Sequence, residues 1–123
     1  MAYIDGFLIP VYTDRIAEYK KWGRKFGKKL VELGALQYFE AQGDDVPPGK
    51  VTSFDLAIKK KDNETVFFSY VVYPNKRVRD KVNKLIMSDP DVLNFDMTNA
   101  PFNGERMIYG GFKGAVDVLG ESD

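Results

Sequence analysis

The 123-residue chain contains no cysteine and no histidine. Without cysteine there is no disulfide, no thiolate nucleophile and no metal or iron–sulfur site built on sulfur. Without histidine the chain by itself has no imidazole base, no Ser-His-Asp triad, no common zinc site and no histidine-ligated haem. An excess of either charge is also missing. The 18 Lys and Arg residues balance 18 Asp and Glu, so no overall field draws nucleic acid or an anionic membrane. No apolar run approaches the roughly 20 residues that cross a bilayer. The opening Met1-Ala2-Tyr3-Ile4-Asp5 has neither the basic segment nor the cleavage site of a secretory signal. These absences predict one cytoplasmic domain over residues 1–123, with no membrane partner, no metal and no bound cofactor. That length suffices for a core without staples.

What is present reads as alternating strands and helices. Tyr3 to Tyr12 is apolar, aromatic and β-branched, which predicts a strand. Thr13 stands where a helix N-cap belongs, and Ile16, Tyr19, Gly23, Phe26, Leu30 and Leu33 then recur at helical spacing up to Gly34. Ala35 to Gln42 predicts a second strand. The pattern at Ser53 to Lys59 fits a short strand or a helical turn equally. Val66 to Tyr73 predicts a third strand, and Pro74-Asn75 opens a second helix with Val78, Val82, Leu85 and Ile86 on one face. Asp89-Pro90 ends that helix, and Arg106 to Val118 predicts the last strand. The order is βαββαβ, the ferredoxin-like α+β plan, with a four-stranded antiparallel sheet and two helices on one face. Yet Val66-Phe67-Phe68-Ser69-Tyr70-Val71-Val72-Tyr73 is apolar on both alternating faces, and the first strand sets Phe7, Ile9 and Val11 opposite Ile4 and Leu8. Two helices cover one face. A second copy of the sheet, packed face to face across a twofold axis, is the simplest cover for the other, so a homodimer is expected.

Candidate chemistry is sparse. Asp5 lies mid-strand among apolar neighbours and needs a partner; Arg106 is one candidate mate, since the first and last strands are neighbours in this plan. The pair reads either as a structural ion bridge or as a pocket base beside a cation. Gly43-Asp44-Asp45-Val46-Pro47-Pro48-Gly49-Lys50 is a stiff loop in which two prolines fix the backbone. Adjacent carboxylates on an extended chain point apart, so Asp44 and Asp45 fit a pocket wall, one of them paired with Lys50, better than a shared metal site. Aromatics crowd the sheet at Tyr38, Phe39, Phe67, Phe68, Tyr70, Tyr73, Tyr109 and Phe112. They make core and interface, with a remainder able to line a cavity for a flat organic molecule.

Two functional expectations follow. In the first, a homodimer binds a small organic ligand and transforms it without a cofactor: Asp5 is the base, Arg106 or Lys50 stabilises negative charge, and Tyr70 or Tyr109 orients the ligand. In the second, a non-catalytic interaction module contacts RNA or protein through its first helix, where Arg15, Lys20, Lys21, Arg24, Lys25, Lys28 and Lys29 cluster. Nucleic acid is the less expected partner. Glu64-Thr65-Val66-Phe67-Phe68-Ser69-Tyr70 lacks the basic-glycine start of an RNA-recognition strand, and Gly104, Gly110, Gly111 and Gly114 lack the ending of a phosphate loop.

Three motifs together resemble the bacterial YbaA-like family, a domain of unknown function (1428). They are Tyr3-Ile4-Asp5-Gly6-Phe7, the segment Gly43 to Phe54, and Arg106-Met107-Ile108-Tyr109-Gly110-Gly111-Phe112. The resemblance spans nearly the whole chain and implies a dimeric α/β-barrel of ferredoxin-like subunits. It implies no reaction. The wider barrel superfamily includes cofactor-free monooxygenases, isomerases, dehalogenating or haem-degrading enzymes and ligand-binding regulators, and those that depend on histidine are poor analogies for this chain.

Overall fold

The computed structural model describes residues 1–122. Its strands are β1 (Tyr3–Tyr12), β2 (Gln37–Gln42), β3 (Glu64–Tyr73) and β4 (Ile108–Lys113); its helices are α1 (Ile16–Leu33), α2 (Phe54–Ala57), α3 (Lys76–Ile86) and α4 (Pro90–Leu93). The sheet is antiparallel in the order β2-β3-β1-β4. This is the ferredoxin-like α+β arrangement that the strand and helix order predicts.

Local chemistry explains most boundaries. Asn75 caps α3, its side chain accepting from the Val78 amide at 2.9 Å, and Gly34 ends α1 at φ 135°, where a side chain would be strained. Ser53 decides the ambiguous segment in favour of helix. Its hydroxyl accepts from the Leu56 amide at 2.9 Å and starts α2. Thr13 is not a cap. It opens a 3-10 turn (Thr13–Arg15), and its hydroxyl bonds that of Thr65 across the sheet instead.

The last strand is shorter than Arg106 to Val118, and β1 supplies the reason. Lys113 faces Tyr3, the first residue of β1, so the ladder has no partner to continue along. At the other end, the edge of β1 is already taken by residues 101–103: the Tyr12 amide donates to Pro101, the Asn103 amide donates to Pro10, and Val11 bridges Phe102. The chain therefore leaves the sheet between Gly104 and Met107 before rejoining it, and Arg106 lies in that excursion.

Register assigns the two faces. Asp5, Phe7, Ile9 and Val11 of β1 share a face with Tyr38 and Glu40 of β2 and with Phe67, Ser69, Val71 and Tyr73 of β3. α1 and α3 cover this face. Two apolar clusters form beneath them: Tyr19, Phe67, Val11 and Phe102 at one end, Leu30, Val71, Val82 and Ile86 at the other. Leu85, expected on the buried stripe of α3, is instead 44% exposed; Val78, Val82 and Ile86 face the sheet without it. The opposite face carries Ile4, Leu8, Phe39, Tyr70, Phe68, Ile108 and Phe112, with no helix over it save Phe54 of α2 leaning edge-on against Phe68. Phe68 is 46% and Phe112 62% exposed.

Candidate functional site

Between the helix-covered face and the two long helices lies a cavity of about 560 Å³. Its floor is Phe7, Ile9 and Val71, and its roof includes Trp22 and Phe26 of α1, whose rings stack 4.9 Å apart at 9°. Segment 90–104 and β4 close the side, through Val92, Phe95, Phe102 and Tyr109. Most of this wall is apolar. Two polar clusters interrupt it.

The first is built around Asp5. Its carboxylate lies 3.2 Å from Nε of Arg79, which reaches in from α3. Arg79 also donates from Nη2 to the Tyr3 hydroxyl at 2.8 Å and lies over the Tyr3 ring, 4.8 Å from its centre. Its Nε is buried against Asp5, where charge attraction rather than a well-aligned hydrogen bond holds the pair. Burial pushes the Asp5 carboxyl above its usual range; the Arg79 charge and a hydrogen bond from Asn83 oppose that rise. Tyr73 is pushed up to about 12, by burial first and then by the Asp5 charge. A carboxyl raised in this way is a better proton acceptor than a solvated one once ionised.

The second cluster is built around Glu40. Tyr19 of α1 donates to both carboxylate oxygens at 2.9 Å, and Tyr38 donates to Oε2. Glycines allow this approach. A Cβ on Gly27 would meet the Tyr38 ring at 2.5 Å, so only a bare backbone lets the ring lie against α1. Burial raises the Glu40 carboxyl, with the hydrogen bonds from Tyr38, Tyr19 and Ser69 opposing, and burial likewise raises both phenols.

The expected Asp5–Arg106 pair does not form. Arg106, displaced by the excursion before β4, holds Glu64 in a two-pronged ion pair and donates to the carbonyls of Ile58 and Lys59. Of the residues expected at the site, Asp5 and Tyr109 line the cavity. Tyr70 lies on the opposite, helix-free face, stacked on Phe39 at 5.3 Å. Asp44, Asp45 and Lys50 are exposed in the loop after β2, and among the described residues no ion pair joins either carboxylate to Lys50. No three acidic side chains among the described residues stand close enough to share a metal ion. The basic face of α1 is partly neutralised: Lys29 bridges Asp89 and Asp91, Lys25 pairs with Asp91, and Arg15 with Glu18.

Arg79, Asn83, Glu40 and Tyr19 were not singled out as functional from the sequence. A signal for the first two exists. Val78, Val82 and Ile86 form the buried stripe of α3, and Arg79 and Asn83 follow it by one residue at the same four-residue step, on its flank. Glu40 shares a strand face with Tyr38, but β2 alone does not reveal which face is buried.

A family model described as "Protein of unknown function (DUF1428)" matches residues 2–104. The chain is 44% identical over 117 residues to "Uncharacterized protein YbaA" of Escherichia coli (strain K12), covering 95% of this chain and 99% of that protein. Proteins of the same name from Escherichia coli O157:H7 and Shigella flexneri match to the same extent. No helix among the described residues is long and apolar enough to cross a membrane.

Proposed function

The chain belongs to the DUF1428 family of unknown function, and within it we propose that this protein is a homodimeric, single-domain binder of a flat small organic molecule, held in the cavity between sheet and helices. The observation that carries this reading is the Asp5–Arg79 ion pair set at one end of an otherwise apolar cavity. A charged pair on an apolar wall gives a ligand one polar anchor and leaves the rest of its surface to apolar contact. A ring system with a carbonyl at one end fits this lining: the ring fills the space between Trp22 and Val71, and the carbonyl accepts from the Arg79 guanidinium. Asp5 then stands beside the activated group as a base for an acidic C–H or O–H, which gives cofactor-free proton transfer a place to occur.

Trp22, the single tryptophan, lines the cavity and reports occupancy directly. Acetylnaphthalene, a neutral flat ketone, is expected to quench Trp22 emission saturably. Arg79→Met should weaken that binding about tenfold, the worth of one hydrogen bond to a charged group. If Trp22 emission does not respond to the probe at any concentration, the cavity does not take flat ligands and the reading fails.

A further inference from the structure

The Glu40 cluster has no role in the chemistry assigned to Asp5, yet it is an unusual object. No ion pair among the described residues involves Glu40, so a half-buried carboxylate is compensated without any cation, by hydroxyls alone. A carboxylate has about four acceptor positions, and three hydroxyl protons, from Tyr19, Tyr38 and Ser69, are directed at it. One acceptor position is left on a group that lines the cavity. An undersolvated carboxylate draws hydrogen-bond donors, and two of the hydroxyls already bound to it are aryl hydroxyls.

We propose that Glu40, set by Tyr19 and Tyr38, is the hydroxyl-recognising end of the cavity, and that the ligand is a flat aryl alcohol or enol whose opposite end carries a carbonyl facing Arg79. This rests on the cavity reading above and narrows its ligand class. The register places the two polar ends correctly for such a molecule. Asp5 faces Val71, which faces Tyr38, and Glu40 lies two residues further along β2, so the Asp5 and Glu40 backbones stand about 12 Å apart on one sheet face. Both side chains enter the cavity, leaving a gap on the scale of two fused rings. A cavity that offers an acceptor at one end and a donor at the other orients a ligand with the opposite pair.

Two probes differing in one donor test this: a hydroxyacetylnaphthalene with its substituents at opposite ends of the ring system, and its methyl ether. Trp22 quenching is expected to show the hydroxyl compound binding roughly 10- to 100-fold tighter, the range for a hydrogen bond to a charged acceptor. Glu40→Gln should erase most of that preference while the ether binds as before. The preference should also fall as pH drops and Glu40 takes up its proton. The ionisable groups around Glu40 are Tyr19 and Tyr38, with Lys20, Arg24, Lys28 and Glu32 of α1 along an outer groove that it also lines. Asp5 titrates in the same cavity, but both probes present it with the same acetyl group, so its effect cancels in the ratio. If the ether binds as tightly as the alcohol, or if the preference grows on acidification, Glu40 is not an acceptor for the ligand and the inference fails while the cavity reading stands. If neither probe quenches Trp22, both fail together.

Discussion

Asp5 and Arg106 show how far a single residue can be read. A carboxylate in the middle of an apolar strand needs a buried cation, and that demand is visible in the sequence. Which cation meets it is not, because Arg79 is 74 positions away and arrives through the packing of α3. Arg106 instead serves Glu64, whose side chain is 1% exposed, and ties the turn before β3 through the Ile58 and Lys59 carbonyls. Arg106→Ala should cost about 3 kcal/mol at neutral pH, since it strands a buried carboxylate. The pH dependence follows from the shift. The Arg106 hydrogen bond lowers the Glu64 carboxyl below its ordinary 4.5, against burial, so its stabilisation is present above pH 4.5 and is lost as pH falls through the lowered value. With Arg106 gone that contribution is absent, and at the carboxylate the Lys61 amide and charge alone oppose burial. Denaturant titrations of both proteins between pH 7 and 3 should therefore show the gap narrowing below pH 4.5, and a constant difference would refute the pairing as the cause.

At the scale of the element, α1 is the most legible part of the molecule, because its apolar positions recur at helical spacing over 18 residues. Its glycines are less so. Gly23 and Gly27 look like ordinary weak points in a helix, worth about 1 kcal/mol each relative to alanine, until Tyr38 is placed against them. A Cβ on Gly23 would lie 3.6 Å from the Tyr38 hydroxyl, an ordinary contact; on Gly27 it would reach 2.5 Å from the ring. Gly23→Ala is thus expected to stabilise by up to about 1 kcal/mol. Gly27→Ala should destabilise by about 1–2 kcal/mol net, as overpacking of about 1–3 kcal/mol outweighs the propensity gain. Thermal or urea unfolding of the two variants decides it; equal stabilisation would mean that the ring does not seat on Gly27. The elements around residues 53–59 and 104–107 were not legible, for a common reason. Each boundary depends on a hydroxyl cap or on competition for one strand edge, neither of which has a periodicity.

At the scale of the whole molecule, the helix-free sheet face is the dominant fact. Ile4, Leu8, Phe39, Phe68, Tyr70, Ile108 and Phe112 form a continuous apolar surface of a kind that isolated soluble domains rarely expose. The face-to-face homodimer is our reading of it, and sedimentation at micromolar concentration should return a dimer. Phe68→Glu, which sets charge at the middle of that face, should yield a folded monomer with unchanged far-ultraviolet circular dichroism; a monomeric parent protein would remove the proposal. Composition, strand alternation and helical spacing by themselves determined the βαββαβ order, the two-faced sheet and the exclusion of thiol and imidazole chemistry, because each is a property of residue type or of neighbours within a few positions. Tertiary structure alone decided that Asp5 meets Arg79, that Glu40 meets Tyr19 and Tyr38, and that a cavity separates the two. Those contacts join residues from different strands and helices, whose approach is set by packing geometry rather than by local pattern.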